Sequence, residues 1–367
     1  MLVSARVLIL FVALAVPAQL QAQVTPPETF FGFQLGSDRK IARWDKIVDY
    51  FQLLQKQGGG RLQMVNMGKT TLGNPFLLAI ISSPKNLANL DRLRQVNAQI
   101  SDPRGLAEQE VKRLVAEGKA VLCQSMSLHA SEIGGTQMAP ELAYDLLSRT
   151  DDETQRILDN VVFLLVPSFN PDGQIMVTDW YRENLGTEYE GAGLPWLYHK
   201  YVGHDNNRDS YMVAMPETEN MSRQLYIEWM PQIMYNHHQV GPAGAVMFAP
   251  PFRYPANYNI DPLVLAGIEQ VGMAMQARFL FEDKPGVTMK EGGPFSTWWN
   301  GGLRTTVYFH NQIGILTETQ GNPTPIEMQF VPSRILPDGD YFMPIAPQPW
   351  HFRQSVDYEV TANKAIL

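Results

Sequence analysis

Two side chains three residues apart, His129 and Glu132, close the stretch Val121-Leu-Cys-Gln-Ser-Met-Ser-Leu-His129-Ala-Ser-Glu132. A neutral imidazole and a carboxylate at that spacing can reach one cation of borderline softness. Catalytic zinc takes two such ligands, a third from elsewhere, and an open position for water. Most pairs at this spacing are simply solvated loop residues, so the reading depends on what else the chain supplies. His237-His238 ends a second apolar run, and Glu318 ends a third, Ile313-Gly-Ile-Leu-Thr-Glu318. Between them lies Gly203-His-Asp205-Asn206-Asn207-Arg208. Three apolar runs that each stop on a metal-ligating or acid–base side chain say more than any one motif.

For these ends to meet, the runs must be strands of one sheet whose C-terminal edge carries the site, where open α/β sheets place ligands. The rest of the chain supplies such a frame. Trp44, Ile47, Val48, Phe51 and Leu54 form a helical stripe ended by Gly58-Gly-Gly60. Residues 61–68 and 75–82 read as a hairpin, and residues 86–118 as charged, exposed helices. A short helix is expected over Pro140 to Ser148, with proline near its first turn, and another over Thr154 to Asn160. Val161-Val-Phe-Leu-Leu-Val166 has the continuous apolarity of a strand buried on both faces, and Asn170-Pro-Asp172-Gly173 reads as a turn. Asp179 to Pro216 shows no periodicity and reads as a long, aromatic-rich functional loop. Glu217 to Trp229 and the Met-rich 261–282 read as helices. Val356 to Leu367 also reads as helical and stops without a capping signal, which fits either the finish of the domain or a fragment of a longer protein. Strands alternating with helices predict an α/β fold: a mixed, largely parallel central sheet with helices on both faces.

The order of the motifs, His-x-x-Glu, Asn-Pro-Asp-Gly, Asp-x-Asn-Arg, a histidine at a strand end and Thr-Glu after an apolar strand, resembles the zinc carboxypeptidase family of metallopeptidases. The resemblance runs from about Trp44 to Glu318 and includes the opening helix and the Gly68-Lys-Thr-Thr-Leu-Gly-Asn-Pro turn. It implies one Zn²⁺ held by His129, Glu132 and His238, with His237 the competing third ligand. In the family an acidic residue stands two places before that histidine, whereas here the place is taken by Asn236. Asp205 would hold a ligand imidazole by its other nitrogen. Asn207 and Arg208 would receive a peptide's terminal carboxylate, a task suited to a planar guanidinium. Arg182, in Trp180-Tyr-Arg182-Glu, would polarise the scissile carbonyl and stabilise the oxyanion. Glu318 would be the general base. The tyrosine with which the family caps a bound terminal residue has no evident counterpart near Trp298-Trp299-Asn-Gly-Gly-Leu-Arg304. Another aromatic or Arg304 serves in its place, or the substrate differs from a simple peptide. Met247 to Asn259, rich in proline and tyrosine, is a candidate for shaping the pocket.

The 367 residues, 45% of them hydrophobic, suffice for a sizeable core. A net charge of −8 argues against nucleic acid or an anionic membrane as partner. Arg6, the apolar run Val7 to Val16, Pro17 and the small-residue site at Ala22 have the form of a signal peptide over residues 1–22. That predicts export to a periplasm or the medium, with no membrane span after its removal, although an uncleaved anchor is the alternative. An irregular segment, 23–38, then precedes a single catalytic domain, 39–367. The lone cysteine, Cys123, excludes an internal disulfide and reads as a small buried hydrophobe.

The expected activity is hydrolysis of the C-terminal peptide bond of a peptide or peptide-like substrate with a free carboxylate. A related zinc amidase acting on peptidoglycan stem peptides or N-acyl amino acids would share the zinc site. An inactive protein that binds peptide ends is the alternative outside enzymology.

Overall fold

The computed structural model describes residues 23–199 and 202–367, so the N-terminal segment read as a signal lies outside the described residues. Eight strands form one sheet. In chain order they are β1 (Leu62–Lys69), β2 (Pro75–Ile81), β3 (Ala120–Ser125), β4 (Val161–Val166), β5 (Ile233–His238), β6 (Met247–Phe252), β7 (Val287–Lys290) and β8 (Ile313–Thr319). Across the sheet the order is β1-β2-β4-β3-β5-β8-β6-β7. The centre, β4-β3-β5-β8, is parallel throughout. The β1–β2 hairpin, its junction with β4, and the β8–β6 pair are antiparallel. The chain leaves β3 for β4 on one side and returns as β5 on the other. The crevice between the ends of β3 and β5 is therefore a topological switch point, the usual place for a ligand.

Alternate residues of each central strand feed two cores, because side chains in a strand point to opposite faces. Leu77, Ala79, Leu122, Phe163 and Leu165 pack on one face against α1 (Trp44–Gln57) and α2 (Gly134–Ser148). Leu78, Ile80, Val121, Cys123 and Leu164 pack on the other, against Leu93, Trp229 and Ile268. Helices thus cover both faces, and Cys123 is fully buried among them.

Several elements differ from the reading of the sequence. Helix α2 starts at Gly134, and Pro140 lies inside it. Gly134 and Gly135 permit that start: a Cβ on Gly134 would meet the Glu359 carboxylate at 2.6 Å, and one on Gly135 would meet His237 and Met126 at 3.3 Å. Burial of the whole segment from Gly134 to Pro140 outweighs the hydrogen bond that Pro140 cannot donate. The Asn170-Pro-Asp-Gly turn opens a helix, α3 (Pro171–Glu183), with Asn170 accepting from Gly173 N at 2.9 Å as its cap. Residues 179–183, read as loop, are the end of that helix. Asp172 ties the hairpin turn to it, accepting from Leu72 N at 2.8 Å and from the Asn74 amide at 2.7 Å. β6 and β7 went unread. β6 carries Pro250-Pro251, which breaks any strand pattern, and β7 is only four residues long. Within 23–38 a short helix covers Pro27–Phe31. The last two long helices, α4 (Pro262–Phe281) and α5 (Phe352–Ile366), pack on each other, and α5 also packs on α2. No helix of the described residues is long and apolar enough to cross a membrane.

Candidate metal centre

The turn after β3 is held by its own hydrogen bonds. Ser127, with φ 46°, donates its hydroxyl to Glu132 O at 2.7 Å and accepts from Thr136 N at 3.2 Å. Glu132 N donates to His129 O at 3.0 Å. This closure turns both side chains to one point, with His129 Nδ1 2.8 Å from Glu132 Oε1. β5 brings in the third group: His238 Nδ1 lies 2.9 Å from Glu132 Oε2 and 3.2 Å from His129 Nδ1.

Strand alternation separates the two adjacent histidines. His238 faces the crevice, while His237 faces the core beneath the sheet, its ring tilted against that of Tyr235 at 3.8 Å and bonded to the Asn363 amide at 2.8 Å. Burial pulls the His237 pKa down to about 3, so the ring is neutral.

The far nitrogens of the two crevice imidazoles are also engaged. His129 Nε2–H donates to Asp205 Oδ1 at 3.1 Å, and the same oxygen accepts from Asn207 N at 2.7 Å. His238 Nε2 lies 2.8 Å from the Asn236 amide and 3.3 Å from that of Asn207. The Asn236 amide oxygen is buried and has no other partner among the described residues. A half-turn of that amide sets its oxygen against the proton that Nε2 must carry when Nδ1 binds a metal. Asn236 can therefore do for His238 what Asp205 does for His129, although the sequence registered it only as a departure.

Burial disfavours protonation of His129, but its bonds to Asp205 and Glu132 prevail and raise its pKa to about 10. Burial likewise works against the Glu132 charge, yet His238 and His129 hold its pKa down at about 2. Asp205 is drawn below the usual carboxylate range by His129 against the cost of burial. Two anionic carboxylates and two imidazoles whose Nδ1 atoms converge form a site that attracts positive charge. Tetrahedral zinc bonds of roughly 2.0–2.2 Å separate neighbouring donors by about 3.3–3.6 Å, somewhat wider than the 2.8–3.2 Å spacings here. The His, Glu and His donor atoms all lie within 4.8 Å of one another, and this set suits Zn²⁺.

Glu318 stands on β8 in register with His238. Burial, reinforced by the charge of Glu132, raises its pKa to about 8. It shares a cleft of about 370 Å³ with His129, His238, Asn207, Arg208 and Arg304. Asn207 Oδ1 accepts from Leu303 N at 3.0 Å, which fixes its amide at the cleft wall. Arg208 stacks over Trp299 at 4.4 Å and, among the described residues, donates one hydrogen bond, to Asn207 O at 3.1 Å. Arg182 is not in this lining: it sits in the last turn of α3 and donates to Ile41 O at 2.7 Å. Nor does Met247 to Asn259 line the cleft; it begins as β6 in the sheet. Tyr198 went unremarked in the sequence, since a tyrosine in an aperiodic loop carries no signal. Its phenol is largely buried, which raises its pKa, and the charges of Glu132 and Asp205 raise it further.

A family model described as zinc carboxypeptidase matches residues 47–250. Among solved structures, the chain is similar to a metallo-carboxypeptidase from Burkholderia cenocepacia, at 14% identity and a TM-score of 0.53, over 88% of this chain and 67% of that one. It is also similar to carboxypeptidase A from Helicoverpa armigera, at 14% identity and 0.53, over 89% and 74%. A third likeness is to bovine thrombin-activatable fibrinolysis inhibitor in complex with tick carboxypeptidase inhibitor, at 10% identity and 0.55, over 89% and 96%. At these identities the likeness is one of fold. The chain spans about two thirds of the length of the Burkholderia protein. Among curated protein sequences nothing matches.

Proposed function

This chain belongs to the zinc carboxypeptidase family, and from that premise we propose that it is an exported metallocarboxypeptidase releasing the C-terminal residue of a peptide. The observation that carries the proposal is the convergence of His129 Nδ1, His238 Nδ1 and the Glu132 carboxylate within 3.2 Å, with Glu318 beside them in one cleft. These three side chains would hold one Zn²⁺, which when bound acidifies a water and polarises a carbonyl.

The chain's own groups account for the remaining work. Asp205 fixes the His129 ring through Nε2, leaving Nδ1 free for the metal. Glu318 accepts the proton of the attacking water and passes it to the departing amine. In the metal-free site burial and the charge of Glu132 favour the neutral acid of Glu318, and the carboxylate needed to take the proton would be favoured by a cation bound beside it. Arg208 and Asn207 receive the terminal carboxylate and so set which bond lies over the metal. Arg208 is suited to this, because stacking on Trp299 leaves most of its donors free. Oxyanion stabilisation by Arg182 requires its guanidinium to leave Ile41 and reach the cleft. Export rests on the charged, apolar and small-residue sequence of residues 1–22.

The test is metal removal. A chelator should abolish release of the terminal residue and added zinc should restore it. Release that persists in protein shown to be free of metal contradicts the proposal.

A further inference from the structure

Several of the described arginines that are partly shielded from solvent are neutralised by carboxylates. Arg353 binds Glu141 through both terminal nitrogens at 2.6 Å and also meets Asp357. Arg278 is held by Glu153 and Glu282. Arg304 is more deeply buried than any of them, only 9% exposed, and it lies on the wall of the cleft that holds the proposed metal ligands. Its partners are neutral: it donates to the Tyr308 hydroxyl at 2.8 Å and to Ser296 O at 2.9 Å, and it stacks over Phe252 at 4.3 Å. No carboxylate of the described residues lies within ion-pairing distance of it. A guanidinium has five donors in a fixed fork, and these contacts occupy two of its nitrogens. Withdrawing such a charge from water without a counter-ion is unfavourable, and an incoming carboxylate would relieve it.

The neighbouring wall is formed by Phe295, Leu316 and Thr305, so nothing anionic there competes for Arg304 except Glu318, the proposed base. Arg208, the second guanidinium of the cleft, is exposed and lies beside Asn207. The cleft thus offers two cationic forks of different kinds, one open and one sunk in the wall.

We infer that the cleft selects a terminal residue whose own side chain bears a carboxylate, with Arg208 taking the main-chain carboxylate and Arg304 the side-chain one. This rests on the proposed carboxypeptidase reading, and it makes Arg304 the residue that sets specificity. A competing role, bracing the Ser296 to Trp299 segment through Ser296 O and Tyr308, would give Arg304 no influence on the choice of substrate.

The experiment uses peptides identical except for a last residue of Glu, Gln, Leu or Lys. With zinc-loaded wild-type protein, kcat/KM for the Glu peptide should exceed that for the Gln peptide at least tenfold. Binding of the same peptides to the zinc-loaded Glu318→Gln variant should show a preference in the same direction. Arg304→Gln should bring both ratios close to one, and Arg304→Lys should keep part of the preference. Equal handling of Glu and Gln, or a preference for Leu or Lys, overturns the inference, and wild-type protein alone is enough to show it. If the Glu preference appears in binding but no peptide is cleaved, the inference stands and the carboxypeptidase reading fails.

Discussion

His238 and Glu318 stand side by side in register on the parallel strands β5 and β8. Paired positions of a parallel sheet project to the same face, so an imidazole with its Nδ1 turned to Glu132 and a carboxyl raised to about 8 share one wall. Two β-strands thereby hold the proposed third ligand and the proposed base at fixed separation, with no loop between them.

Glu318→Gln keeps the shape and removes the proton acceptor. We expect kcat to fall by about 10²–10⁴ or more, with the zinc content unchanged by elemental analysis. A fully active variant would remove Glu318 from the role of base.

The two adjacent histidines should behave in opposite ways. His238→Gln should lose the metal. His237→Gln should keep it and instead lose about 1–3 kcal/mol of stability, because a buried hydrogen bond to Asn363 is disturbed. Zinc content and denaturant melts of both variants separate the outcomes. Loss of zinc on changing His237 alone would reverse the assignment.

Asp205→Asn leaves the ligands in place but weakens the hold on His129 Nε2. A drop of about 10–100-fold in zinc affinity is expected, measured by competition with a chelator. No change in affinity would make Asp205 an ordinary loop residue.

Much of this was legible in the sequence, and the reason is local. The three runs that stop on His129, His238 and Glu318 each announce a strand and its end, and a parallel sheet gathers such ends at one edge. The choice between His237 and His238 follows from alternation once the register of β5 is known, because one residue of slip exchanges the faces. What could not be read depends on packing. The start of α2 at Gly134 requires Glu359 and His237 as neighbours. The ties of Asn236 to His238 and of Arg304 to Tyr308 follow from contacts that no spacing rule encodes. Arg182 shows the opposite limit: motif position suggested the cleft, whereas α3 carries its guanidinium to Ile41 O.

Glu359, under the sheet, gives a pH signature of folding. Burial, aided by the charge of Glu132, raises its pKa from an ordinary 4.5 to about 8. The folded state therefore holds a proton that the unfolded chain releases, and the stability this adds is complete below the unfolded value and lost as pH rises through about 8. The contribution is on the order of a few kcal/mol. Glu359→Gln should flatten the decline in stability from about pH 5 to 9, followed by urea melts. A slope identical to that of the wild type would mean that the carboxyl is ionised in the folded protein.

The most direct test of the central claim is zinc K-edge absorption on the metal-loaded protein. The account predicts a shell with two imidazole nitrogens at about 2.0–2.1 Å and carboxylate and water oxygens at about 2.0–2.2 Å. A shell of oxygens without imidazole, or protein that retains no zinc after dialysis, would contradict it.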